Sequence, residues 1–130
     1  MQRPRFLFSL FATAFAAGRL RASNFLSMSI NRGYILRRGE TRNGEHFTMK
    51  GVTKNTLDLK IGSADTDGGM ALFEQIGESP YGGPPLHVHP LQDEFFHIRE
   101  GDYRFQVGED VFAGSAGDTI FLPRNVPHAF

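Results

Sequence analysis

The sequence predicts an all-β domain, a sandwich or barrel of short strands, on three observations. Fifteen glycines and seven prolines in 130 residues supply turns at a density that suits a strand-rich chain better than a helical bundle. Leu57, Leu59 and Ile61 alternate with Asp58 and Lys60, the period-two pattern of a half-buried strand. No stretch after residue 40 sustains the 3.6-residue period of an amphipathic helix.

Taken in order, the first 28 residues read as a leader or an extension outside the fold. Residues 6–17 are an uncharged, mostly apolar run behind Arg3 and Arg5, which matches the front of a secretory signal, with Ala14-x-Ala16 as a cleavage site. Arg19, Arg21 and the lack of acid also suit an organelle transit peptide, and Met28 offers an alternative start. A signal implies a secreted or periplasmic protein; a start at Met28 implies a cytoplasmic one. Each reading leaves residues 33–130 as the domain. Within it, 57–61 is a strand, 63–69 a turn cluster, 70–73 an apolar run, and 77–85 a loop with three Pro and three Gly. Residues 94–99 and 103–107 are strands joined by Glu100-Gly101-Asp102. A turn at 108–110 follows, and 119–122 is the last clear strand.

Composition narrows the function classes. The length suits one domain. No run of 18 or more apolar residues provides a membrane-spanning helix. With no cysteine, there is no disulfide framework, thiolate metal site or cysteine nucleophile. The net charge of zero hides an asymmetry: residues 1–39 carry seven Arg and no acid, whereas the rest is formally −7. An acidic body argues against nucleic acid as a partner.

Three of the five histidines fall in one pattern with an acid: His87-Val88-His89, then Glu94, then His128. In an extended segment i and i+2 face the same way, so His87 and His89 can aim at one point, and Glu94 opens the next strand close by. Three imidazoles and a carboxylate suit one divalent transition metal: Fe, Mn, Ni, Cu or Zn. Two histidines two apart are also common as solvated neighbours, and Glu94 by itself reads as a surface charge; the combination points to a metal.

These residues resemble the two motifs of the cupin superfamily. The first runs Gly, five residues, His-x-His, three or four residues, Glu, six residues, Gly. His87-Val88-His89, Glu94 and Gly101 reproduce all but the opening glycine, whose place falls on Tyr81 with Gly82 and Gly83 just beyond. The second runs Gly, five residues, Pro-x-Gly, two residues, His. Gly117, Pro123-Arg124-Asn125 and His128 match it with Asn in the glycine's place, the best non-glycine residue for a left-handed turn. The resemblance covers residues 77–130. It implies a jelly-roll barrel with the metal inside, held by His87, His89, Glu94 and His128. The family's second motif continues into further strands, so the ending at Phe130 implies a barrel incomplete at its C-terminal end.

Other polar residues carry weaker readings. His97 lies three positions from Glu94 on one strand and so faces away from it. His46 reads as a surface or dimer contact, Arg99 and Arg104 as solvated charges that could meet an anionic substrate, and Asp110 and Asp118 as turn residues. The glycine pairs at 68–69 and 82–83 lack the strand-to-helix setting of a phosphate loop. Phe96 and Ile98 share the face of Glu94. Tyr103, Phe105 and Val107 share one face of their strand. Either Ile120 and Leu122 or Thr119 and Phe121 face inward on theirs. An aromatic interior around a redox-capable ion, with Glu94 as ligand or proton acceptor, suits a small aromatic or enolic substrate and O₂. The resemblance thus implies a metal-dependent cupin similar to quercetinase-type dioxygenases. The alternatives are a non-catalytic module binding a small ligand or metal, and a cupin isomerase. A homodimer through exposed sheet edges is also expected.

Overall fold

The computed structural model describes residues 5–12, 32–49, 55–77 and 83–130; within 5–12 the side chains described are those of Leu7 and Ser9. The Ala14-x-Ala16 cleavage site, Arg3, Arg19, Arg21, Met28, and Tyr81 and Gly82 of the loop lie outside them.

The described residues form strands β1 (Arg5–Ala12), β2 (Phe47–Thr48), β3 (Thr56–Ile61), β4 (Ala71–Ile76), β5 (Gln92–Glu100), β6 (Tyr103–Val107), β7 (Asp110–Gly114), β8 (Thr119–Leu122) and β9 (His128–Ala129), with one 3₁₀ turn at Ser63–Asp65. Six strands make one antiparallel sheet in the order β2-β3-β4-β1-β5-β8, and three make the other, β7-β6-β9. Among the described residues these sheets do not close into a continuous barrel. The all-β class holds, in the form of an incomplete jelly roll.

Strand β5 organises the interior. Its alternation buries Glu94, Phe96 and Ile98 on one face and leaves His97 and Arg99 on the other. Phe96 and Ile98 meet Phe105 of β6 and Leu122 of β8 to form the buried core, with Tyr103, Val107, Ile120 and Phe130 packed around it. The Phe96 ring lies 5.4 Å from Phe105 and 4.6 Å from Phe130, centroid to centroid. Each fully buried side chain of this size contributes about 1.5–3 kcal/mol. The choice left open for β8 resolves in favour of Ile120 and Leu122, since Phe121 is 60% exposed.

Four sequence expectations are corrected or refined. First, the leader was expected to stand outside the fold, but Arg5–Ala12 is a strand paired on both sides, with β4 and with β5. An uncharged apolar run is equally the composition of a strand buried between neighbours. Second, Asp110 opens β7 rather than only turning the chain, and β7 pairs with β6 from Tyr103↔Gly114 to Val107↔Asp110. Four of its five residues are exposed, so no alternation marks it in the sequence. Third, Asp58 is buried on the face expected to meet solvent, because His46 and Lys60 cover it, with His46 Nδ1 2.7 Å and Lys60 Nζ 3.8 Å from its carboxylate. Fourth, His87 and His89 belong to no extended strand: His87 makes an isolated antiparallel bridge to His128.

Candidate metal centre

Two short backbone bonds bring the motifs together. His87 N–H donates to His128 O and His128 N–H to His87 O, at 3.0 and 2.8 Å, so residues some forty apart in sequence face one another. Asn125 N–H donates to His89 O at 2.9 Å. Asn125 has φ of +64°, the left-handed turn expected where the second motif carries glycine. Glu94 enters from β5, opposite Leu122 of β8 and Leu10 of β1.

One nitrogen from each of His87, His89 and His128 and one oxygen from Glu94 lie within 4.8 Å of one another. The rings of His87 and His128 are 4.6 Å apart, those of His87 and His89 5.0 Å, and those of His89 and His128 5.4 Å. Glu94 and His128 are buried, whereas His87 and His89 are half-buried and form the mouth.

Hydrogen bonds outside the cluster set the tautomers. His87 Nδ1 lies 2.8 Å from Pro85 O, and His128 Nδ1 lies 3.0 Å from Val126 O. A carbonyl only accepts, so each Nδ1 carries the proton and each Nε2 keeps a lone pair. Gln92 stands 3.1 Å from His89 Nδ1. The atom placed there is Gln92 Nε2, which donates to Nδ1; exchanging the amide's nitrogen and oxygen, which share one outline, would instead let the oxygen accept from Nδ1–H and give His89 the tautomer of the other two.

The donor set fits a cation. His128 Nε2 is buried without a hydrogen-bond donor, and it faces Glu94 Oε2 at 3.1 Å. His89 Nε2 lies 3.5 Å from Glu94 Oε1. A nitrogen lone pair set against a carboxylate oxygen at such distances repels unless a proton or a cation stands between them. Without a metal, burial pushes the Glu94 carboxyl up to about 7, so it holds that proton. Burial also lowers His89 and His128, His89 further through the charges of His87 and His128, and His128 further through that of His87, against the raising effect of its bond to Val126 O. Neutral imidazoles are the form that ligates a metal.

The remaining polar residues stand elsewhere. His97 is on the outer face of β5, with Nδ1 3.0 Å from Thr119 Oγ1. Arg99 donates to the buried Glu74 at 2.8 Å, and Lys60 pairs with the same carboxylate at 2.9 Å. Arg104 is exposed on β6. Asp118 accepts from Ser115 N–H and Oγ, which is a turn role.

Two features of the site escape the sequence motifs. One is the Gln92 bond to His89. The other is a clamp in which Asp93 accepts from Arg124 N–H at 2.8 Å, Nε at 3.1 Å and Nη2 at 2.6 Å. The Arg124 guanidinium holds the Asp93 carboxyl down at about 2. The clamp fixes the loop before His128 against the start of β5. Its only sequence signal is that both residues adjoin motif positions.

The fold and the cluster together define a small jelly-roll protein with three histidines and one glutamate gathered inside it. Residues 78–130 match the family model described as a cupin domain, so this part of the chain is similar to cupin domains. No curated protein and no solved structure matches it.

Proposed function

We propose that His87, His89, Glu94 and His128 hold one divalent transition metal, and that the protein is a dioxygenase-type oxidoreductase, similar to quercetinases, acting on a small aromatic or enolic substrate. The convergence of four ligating atoms within 4.8 Å, on a carboxylate buried next to the aromatic core, carries the reading. When bound, a redox-capable ion supplies electron exchange between an ionised enol or phenol and O₂. The three Nε2 atoms and a Glu94 carboxylate oxygen would hold it, and the partners at Nδ1 keep the rings oriented. Glu94, the one carboxylate of the cluster, is the group that would take the substrate's hydroxyl proton. Phe96 and Phe105 keep water from the interior side.

A homodimer belongs to the same reading. Val111 and Phe112 on β7 and Phe121 on β8 leave apolar surface exposed where the sheets stay open, and sedimentation of the purified protein checks the pairing.

The test is elemental analysis of the protein as purified, followed by oxygen uptake with flavonols and catechols. Near one Fe, Mn, Ni or Cu per chain, absent from His89→Ala, together with uptake, is expected. Zinc without uptake turns the reading to a ligand-binding module, and turnover without oxygen turns it to an isomerase. No metal in either protein overturns the site.

A further inference from the structure

Strands β4 and β5 are not paired with each other; β1 lies between them and pairs antiparallel with both. Its register with β4 runs from Arg5↔Ile76 to Leu10↔Ala71, and with β5 from Arg5↔Glu100 to Ala12↔Gln92, with one irregularity between Arg5 and Phe6. Without β1, two facing strand edges would expose their N–H and C=O groups. Ser9, a polar residue within the run, fits the slot closely. It is fully buried, and its hydroxyl donates to Ala71 O at 3.1 Å. Leu7 stands opposite Glu74 on one side and His97 on the other.

We propose that the gap between β4 and β5 is a strand-binding site, whose ligand is an extended, mostly apolar peptide of about eight residues. Residues 5–12 of this chain are its resident ligand. The segment that reads as a leader therefore completes the sheet that carries Glu94, and Leu10 is the residue directly opposite Glu94. Cleavage at a site such as Ala14-x-Ala16 separates this strand from the rest covalently without emptying the slot, since both ladders and the Ser9 bond survive the cut. Once the connection is cut, the slot accepts a second peptide of the same sequence by exchange. None of this depends on a bound metal.

The experiment starts from the full chain with a specific protease site placed between residues 18 and 27. After cleavage, the N-terminal fragment is expected to co-elute with the remainder on gel filtration. A labelled synthetic peptide of residues 3–14 should replace it, and the same peptide carrying Ser9→Pro should not, because proline lacks the N–H and fits poorly in a central strand. In the uncut protein, hydrogen exchange reads the two edges. Amides of residues 71–76 and 92–100 should lose at least tenfold in protection in Ser9→Pro, while those of β6 and β7 keep theirs. Should Ser9→Pro unfold the whole chain, the cut-and-exchange measurement still decides. Release of the fragment with β4 and β5 protection unchanged, or equal uptake of both peptides, overturns the proposal.

Discussion

The hydrogen bond between Gln92 and His89 offers the sharpest handle on the centre. His87 and His128 are oriented by backbone carbonyls, those of Pro85 and Val126, which no side-chain substitution removes. His89 is held instead by a side chain 3.1 Å away. Gln92→Ala frees the ring to turn about its side-chain bonds and leaves Nδ1 to water at the half-buried mouth. Losing such an outer partner costs about 10- to 100-fold in metal affinity, which is about 1.4–2.7 kcal/mol. Gln92 is itself only half-buried, so folding stability should fall by no more than the net worth of one hydrogen bond, about 1 kcal/mol. Competition titration of Zn²⁺ and Mn²⁺ against a chromophoric chelator measures the first quantity, and urea unfolding of the metal-free protein the second. Gln92→Glu, whose carboxylate accepts from Nδ1–H, should restore most of the affinity. Affinity unchanged in Gln92→Ala, or lost equally in Gln92→Glu, would refute the orienting role.

Other expectations follow from the same geometry. Substituting Ala for His87, His89 or His128 should each abolish stoichiometric metal in elemental analysis, whereas His97→Ala, on the outer face, should retain it. Glu94 titrates at about 7 in the folded metal-free protein against an ordinary 4.5, so the folded state holds an extra proton in that window. Metal-free stability should therefore fall as pH rises from about 4.5 to about 7, while metal affinity, which needs the carboxylate, rises; denaturation and titration at matched pH show both slopes. For Asp93 the sign is opposite: its folded value of about 2 lies below 3.8, so the clamp stabilises above 3.8 and fades as pH falls toward 2. Asp93→Asn should flatten that part of an acid-unfolding curve. A Cβ at Gly114 would lie 2.8 Å from Ile98 Cδ1, so Gly114→Ala should cost about 1–3 kcal/mol by overpacking. Ile98→Val removes the clashing methyl, and thermal unfolding of the double variant should show less than the summed loss.

Much of the centre was legible because its chemistry is local. The i, i+2 spacing of His87 and His89 and the parity that separates Glu94 from His97 depend only on extended backbone, and both survive in the structure even though the histidines sit outside a regular strand. Asn125 was legible for the same reason, since a left-handed turn admits few residue types. The rest turned on tertiary partners. Residues 5–12 carry the same apolar signature whether they are a targeting segment or a strand between two others, and only the edges of β4 and β5 separate the two. Strand β7 lies at a sheet edge with both faces near solvent, so its sequence has no period to show. The burial of Asp58 depends on a cover that includes His46, in a stretch without alternation. Gln92 depends on one rotamer, which composition does not encode.

The four candidate ligands do not share a sheet. Glu94 belongs to the six-stranded sheet and His128, through β9, to the three-stranded one. An ion held between them would be a cross-link across the open sandwich, a tie between two halves that backbone ladders leave separate. Occupancy then becomes a mechanical property as well as a chemical one. At a free metal concentration a hundred times the Kd, the folded state gains about 2.7 kcal/mol. That gain would act between the two sheets, on the contact that packs Phe96 and Ile98 of one against Phe105 of the other.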